Sequence, residues 1–219
     1  MNVFDILGPV MIGPSSSHTA GAVRIGKIAG ALLGSPAVSA HILLHGSFAK
    51  TYKGHGTDKA LVAGIMGMGP SDARIRQSLE LAKENGLSIN FEKVELEGAH
   101  PNTVVITLKD AAGKTVTLRG ASIGGGNIII SEINGIKVDI TGQQTTLLIL
   151  HRDVPGVIAC VSNYIAAQGV NISNFKLSRT QRGETALMTI EVDGELNEEI
   201  NKGIEALPNV LQSIMLQPN

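Results

Sequence analysis

Tryptophan is absent from the 219 residues, aromatic side chains make up 3%, and cysteine occurs once. A core must therefore come from aliphatic side chains, which the 43% hydrophobic content permits. One thiol, Cys160, makes neither an internal disulfide nor a cysteine-ligated zinc or iron–sulfur site within one chain. It lies in Val157-Ile158-Ala159-Cys160-Val161, an apolar helical context, and reads as a small core residue. Neither sign of charge dominates: 18 Lys and Arg against 19 Asp and Glu leave a formal net charge of -1, so no basic field exists for nucleic acid. No apolar run of about 18 residues is present to span a membrane, and the N-terminus lacks the regions of a signal peptide. A cytoplasmic location is expected.

Polar chemistry is concentrated instead in short glycine-bounded stretches. The densest is Gly13-Pro14-Ser15-Ser16-Ser17-His18-Thr19-Ala20-Gly21. It precedes residues 22–33, where Ala22, Ile25, Ala29 and Leu32 recur at helical spacing, so the serines lie at a helix N-terminus. The first backbone N–H groups of a helix lack intrahelical partners and carry the positive end of the macrodipole, which suits a carboxylate or phosphate. One serine, Ser17, is enough for an N-cap. Three serines with His18 and Thr19 exceed that need and point to an anion or small substrate.

Further along, Val38, Ala40, Ile42 and Leu44 alternate as in a strand that runs into a second polar stretch, residues 45–58. This reads as a glycine-rich turn opening onto a helix with Ala60, Leu61, Gly64 and Ile65 inward, capped by Thr57 or Asp58. Gly54 and Gly56 leave His55 uncovered on both sides, as contact with a ligand requires. His45 is either a strand-end histidine bonded to backbone or a member of the site. Pro70-Ser71-Asp72 opens a third helix that stops at Asn85-Gly86, and Leu87, Ile89 and Phe91 alternate as a strand. His100 is held extended by Pro101. A hairpin follows over 104–119, then Ser122-Ile123-Gly124-Gly125-Gly126-Asn127, whose glycines allow either a close backbone approach to a ligand or a bulge. Asn134-Gly135 is a hairpin turn.

Thr141-Gly142-Gln143-Gln144 is polar and uncommitted, and the expected domain limits are 1–142 and 143–219. Beyond it come a strand (147–151), a helix ending at Gln168-Gly169, strands over 171–179 and 185–192, a helix (196–207) stopped by Pro208, and a strand (210–216). The expected fold class is α+β: an N-terminal mixed α/β substrate-binding domain followed by a ferredoxin-like βαββαβ domain.

With Asp153-Val154-Pro155-Gly156-Val157 after the first of those strands and Gly169-Val170-Asn171-Ile172 opening the second, the last third resembles the ACT domain, a regulatory amino-acid-binding module. That resemblance implies an effector site at Pro155, Gly156, Val157, Asn171 and Ile172, and self-association through the edges of the sheet. The N-terminal motifs are Gly13–Thr19, His45-Gly46-Ser47 with Gly54-His55-Gly56-Thr57-Asp58, His100-Pro101-Asn102-Thr103, and Ser122–Gly126. In this order they resemble the β subunit of bacterial iron–sulfur-dependent L-serine dehydratase, a family whose first domain is related to the allosteric substrate-binding domain of some phosphoglycerate dehydrogenases.

The resemblance implies conversion of L-serine to pyruvate and ammonia without pyridoxal phosphate. A [4Fe-4S] cluster would be held by a cysteine-bearing α subunit, and this polypeptide would be inactive alone. It implies His18 and His55 as catalytic groups and Ser15, Ser16, Ser17, Thr19, His45, Thr57, Ser122, Gly124 and Gly125 as substrate-binding residues, with no metal ligand on this chain. A monovalent cation is left open. Two rival readings are a non-catalytic amino-acid sensor built from the same motifs and a metal hydrolase using His18, His45, His55 and His100. The second lacks any His-x-x-x-His spacing and any paired carboxylate.

Overall fold

The structure is a computed structural model that describes residues 11–179 and 181–218. The expected delivery of the serine cluster by the first twelve residues lies mostly outside them. The chain divides into two compact units, Met1–Asn134 and Gly135–Asn219.

The serine stretch enters a π-helical turn, Ser17–Gly21, which continues as α1, Ala22–Leu33. Gly34, left-handed at φ 75°, stops α1 and sends the chain into β1, Ala37–His45. Two helices follow, α2 (Gly46–His55) and α3 (Thr57–Ile65), then a 3-10 turn (Ala73–Gln77) and α4 (Ser78–Glu84). The strands are β2 (Ser88–Val94), β3 (Thr103–Asp110), β4 (Thr115–Gly124), β5 (Asn127–Ile133) and β6 (Ile136–Ile140). They form one sheet in the order β2-β1-β3-β4-β5-β6. β1 and β2 run parallel, while β1–β3, β3–β4 and β4–β5 are antiparallel.

Glycine decides how close the helices come. A Cβ at Gly26 or Gly30 of α1 would run into the carbonyl oxygens of Leu61 and Ile65 on α3, and one at Gly64 into that of Val23. The two helices therefore touch backbone to backbone. On its other side α1 lays Ile25 over Gly120 of β4, and Ile25, Ile42, Leu44, Ile106 and Leu118 are fully buried.

The second polar stretch is not the expected turn. Most of it is α2, which starts at Gly46 with φ 57°, a left-handed conformation open to glycine. The Pro101 carbonyl oxygen accepts the N–H groups of Ser47 (2.7 Å) and Phe48 (3.4 Å), supplying the partner that the helix start lacks. Phe48 and Ala49 are buried on the inner side. The helix ends at Gly56, φ 71°, which is also the N-cap of α3. Neither Thr57 nor Asp58 caps α3 with its side chain. The third helix also differs: Asp72 accepts the Arg74 N–H (2.9 Å), and this local bond draws the first residues into the 3-10 turn before α4 forms.

The second unit carries β7 (Thr145–Arg152), α5 (Val157–Ala167), β8 (Ile172–Arg179), β9 (Thr185–Val192), α6 (Glu198–Glu205) and β10 (Val210–Leu216). Its antiparallel sheet has the order β10-β7-β9-β8. This is the ferredoxin-like βαββαβ arrangement. Asn197 caps α6 by accepting the Ile200 N–H (2.9 Å). Leu147, Ile149, Met188 and Ile190 from the central strands meet Val157, Val161 and Ile165 of α5 and Ile204 of α6 in one core.

Candidate functional site

The π-turn is built on its loop. The Thr19 N–H bonds to the Ser15 carbonyl (2.8 Å) and the Gly21 N–H to that of Ser16 (3.0 Å), the five-residue step that widens the turn. Ser16, at the N-cap position, makes no side-chain bond; instead Ser15 Oγ accepts the His18 N–H (3.3 Å). The expected capping by Ser17 does not occur.

His18 points inward and both ring nitrogens are engaged. The Thr51 hydroxyl donates to the Ser47 carbonyl (2.8 Å), so its oxygen is free to accept from His18 Nε2–H at 3.1 Å, and Ser47 Oγ stands 3.3 Å from the same nitrogen. That places the ring proton on Nε2 and makes Nδ1 an acceptor for the Ser15 hydroxyl, 3.2 Å away. Burial first, and the neighbouring His55 second, lower the His18 pKa below its ordinary 6.5. His18 is therefore a neutral imidazole that aligns Ser15. Its ring meets Phe48 edge-on at 5.2 Å and His55 at 4.7 Å with the planes perpendicular.

His55 closes α2 and lines a cleft of about 380 Å³. Space is open where Cβ atoms at Gly54 and Gly56 would stand, so the glycines leave the imidazole uncovered. Thr19 and Gly13 line the same cleft, and a Cβ at Gly13 would strike the Thr19 hydroxyl. Buried Thr19 Oγ1 and His55 Nδ1 have no partner among the described residues. Such a group costs about 1–3 kcal/mol, so the pair marks a place shaped for a ligand's polar atoms. Lys53, Lys59 and Arg76 also line the cleft, and the sequence did not single them out as site residues.

The other motifs brace this arrangement. Buried Ser122 lies against the π-turn, where a Cβ on Gly21 would collide with its hydroxyl. Asn102 holds Ser122 from both sides: the Ser122 N–H donates to the Asn102 carbonyl (3.1 Å) and Asn102 Nδ2 to the Ser122 carbonyl (3.3 Å). After Ser122 the pairing of β4 and β5 shifts register, so the glycines form a bulge and a tight turn with Gly125 and Gly126 at positive φ. Arg24 of α1 donates to the Gly126 carbonyl (2.7 Å), and burial lowers its pKa. Thr57 is fully buried, and its hydroxyl has no partner among the described residues.

Not every expected residue joins the cleft. His45 Nδ1 accepts the Leu96 N–H (3.1 Å) at the end of β1, a structural bond. His100 Nδ1 accepts the Asn102 N–H (3.1 Å), shaping the Pro101 turn that starts α2. Asp58, which the sequence offered only as a cap, is buried beside Lys53 and Lys59. Burial is the first cause of its raised pKa, and Oδ1 accepts the Lys59 N–H (2.8 Å).

In the second unit Val157 belongs to the core, whereas Pro155 and Gly156 are exposed in the turn before α5. Asn171, preceding Ile172 at the start of β8, donates to Asp193 (2.6 Å). Asp153 accepts the Gly183 N–H (2.9 Å) and Arg179 Nη1 (2.7 Å), which hold its carboxyl below the ordinary carboxylate range and fix that turn.

The [4Fe-4S] cluster does not fit these residues. Cys160 sits half-buried on α5 of the second unit, and among the described residues no three His, Cys, Asp or Glu side chains gather as a ligand set. Nor does any described helix have the length and apolarity to cross a membrane.

Comparison with known proteins finds two families along the chain. The family described as serine dehydratase beta chain matches residues 2–86, and the AHAS small subunit-like ACT domain matches residues 147–212. The probable L-serine dehydratase beta chain of Bacillus subtilis is 44% identical over 96% of this chain and 96% of its own length. The L-serine dehydratase beta chain of Peptoniphilus asaccharolyticus is 40% identical over 93% and 92%. The chain belongs to the L-serine dehydratase β-chain family. A more distant relative of this β chain, the D-3-phosphoglycerate dehydrogenase of Bacillus subtilis, is 26% identical over 86% of the chain but only 36% of its own length.

Proposed function

We propose that this β chain supplies half of the pocket of a two-subunit L-serine dehydratase, which converts L-serine to pyruvate and ammonia, and that a cysteine-bearing α subunit holds the [4Fe-4S] cluster. The observation that carries the reading is the pair of buried groups without a partner among the described residues, Thr19 Oγ1 and His55 Nδ1, on two residues that line one cleft. The β-chain names of the relatives support an α-subunit partner. The expected domain limit at 142/143 lies beyond the division of the compact units at Asn134/Gly135, with β6 between the two.

In this pocket the Thr19 hydroxyl and the cations on the wall bind the substrate carboxylate, and His55 adds a hydrogen bond that strengthens as charge develops. Ser15, held by His18, presents an oriented hydroxyl beside the π-turn. Loss of one charge-assisted bond costs about 1.5–3 kcal/mol, or roughly one to two orders of magnitude in rate. The test is anaerobic pyruvate formation by this chain co-assembled with the α subunit. His55→Ala should lower turnover by that factor with the complex intact; full turnover would remove His55 from the chemistry.

The ACT domain is assigned a regulatory role, self-associating through β8. Phe175 and Leu177 on that edge strand pair with core-facing Ile190 and Met188, yet are 39% and 36% exposed. A second reading, an amino-acid sensor with no part in turnover, is favoured by the phosphoglycerate dehydrogenase relative, in which a similar stretch accompanies a different enzyme. Under it, His55→Ala would abolish feedback and leave turnover unchanged.

A further inference from the structure

Serine carries two opposite charges, and the cleft carries mainly one. Lys53, Lys59 and Arg76 line it together with His55 and Thr19, while among the described residues no carboxylate does. Asp58 lies next to Lys59 in sequence but is 8% exposed, has Oδ1 bonded to the Lys59 N–H, and is not part of the lining. Lys53 Nζ stands 5.8 Å from the Tyr52 ring centroid, within cation–π range.

A carboxylate offers only acceptors and an ammonium only donors. The wall answers the first completely, with two ammonium groups, a guanidinium and the Thr19 hydroxyl. It answers the second poorly. The substrate ammonium would approach three like charges, with only neutral oxygen and nitrogen acceptors to receive it. A ligand that keeps the carboxylate and the β-hydroxyl but lacks the α-ammonium avoids that repulsion.

We propose that the described wall of the cleft provides for a carboxylate and not for the α-ammonium, binding short 3-hydroxy and 2-oxo monocarboxylates in preference to L-serine. Recognition of the ammonium then falls to groups outside this wall. The proposal rests on the reading of the cleft as the substrate pocket and deepens it. One consequence concerns the product: pyruvate is a 2-oxo monocarboxylate, so the site retains it and turnover is subject to product inhibition on this chain.

The experiment is a binding titration on the full β chain alone, followed by amide chemical shifts at neutral pH and low salt, with 3-hydroxypropanoate, pyruvate and L-serine as probes. 3-Hydroxypropanoate should bind about tenfold more tightly than serine, a difference of about 1.4 kcal/mol, with shifts centred on Thr19 and His55. Lys59→Gln with Arg76→Gln should erase the preference while the thermal melt stays in place, and added salt should weaken it. Serine binding as tightly as 3-hydroxypropanoate, or neither acid binding, would overturn the proposal. So would a preference that survives the double substitution. The dehydratase reading fails by a different result, full turnover of the assembled His55→Ala enzyme, so the two failures are told apart.

Discussion

In the first unit the buried polar atoms without partners among the described residues include Thr19 Oγ1, Arg24 Nε, His55 Nδ1, Thr57 Oγ1, Asn102 Oδ1 and Ser122 Oγ, most of them on or beside the motifs. In the second unit the buried polar groups are largely spent: Thr145 on the Gly194 carbonyl (2.7 Å), Thr146 on that of Gln144 (2.9 Å), and Ser213 on Asn201 (2.7 Å). What the second unit leaves uncovered is mainly apolar, Phe175 and Leu177 on β8 with Val154, Ile158 and Leu211 elsewhere, beside two buried polar atoms without a partner among the described residues, His151 Nε2 and Thr189 Oγ1. Both conditions cost free energy in the isolated chain, but they ask for different partners. Unsatisfied hydroxyls and an imidazole call for a small polar ligand, whereas exposed Phe175 and Leu177 call for protein surface.

The substitution expected to do most damage attacks the close packing that holds those polar groups. Gly21→Ala puts a Cβ against the Ser122 hydroxyl and its Cβ, the latter 2.7 Å away, and rotation of the hydroxyl cannot relieve the second contact. Gly21 has φ -62°, so alanine suits the backbone and the cost is purely steric. Overpacking of this kind costs about 1–3 kcal/mol. Thermal denaturation should show the loss, and Ser122→Gly in the same chain should restore most of it. A melting temperature unmoved by Gly21→Ala would mean that β4 does not press on the π-turn.

How much of this was readable beforehand divides along similar lines. The bounds of α1 and of β9 and β10 follow from periodicity and from glycine and proline stops, because those elements have one buried face or short connections. The character of residues 46–55 was hidden. Their helix depends on Gly46 at positive φ and on the Pro101 carbonyl, more than fifty residues away, and neither shows in a local pattern. Missing that helix also hid Ser47 and Thr51, whose one-turn spacing sets both hydroxyls against His18. Lys53, Lys59 and Arg76 were invisible as a group because only the fold brings them to one cleft.

A smaller effect tests the orientation of His18. Thr51→Val removes the acceptor for Nε2–H and leaves a methyl in its place, freeing the ring to adopt the other tautomer. Turnover of the assembled enzyme should fall about tenfold, the scale of one lost neutral hydrogen bond of about 1 kcal/mol with some misalignment of Ser15, and Thr51→Ser should restore it. Acid should act on the same group. The folded His18 pKa is lowered, so below 6.5 the unfolded chain binds the proton more readily, and stability declines as pH falls from 6.5 through the folded value. Thr51→Val, with a less committed ring, should alter the acid limb of the pH–rate profile; an unchanged limb together with unchanged turnover would leave Thr51 a purely structural residue.

The smallest effect on chemistry, and the sharpest on the contrast between the units, is expected at β8. Phe175→Asp with Leu177→Asp places two carboxylates on an edge strand whose apolar face is uncovered, next to paired residues that already have their core contacts. Sedimentation should show the wild-type chain self-associating and the double variant as a lone, still folded chain, with a modestly lowered melting temperature because Phe175 and Leu177 still cover most of their surface in the unit and the association no longer stabilises the fold. Turnover after assembly with the α subunit should stay near wild type, since the cleft lies wholly among residues of the first unit. A variant that still self-associates would move the interface away from β8, and one that loses turnover would show that the apolar strand and the polar cleft answer to the same partner.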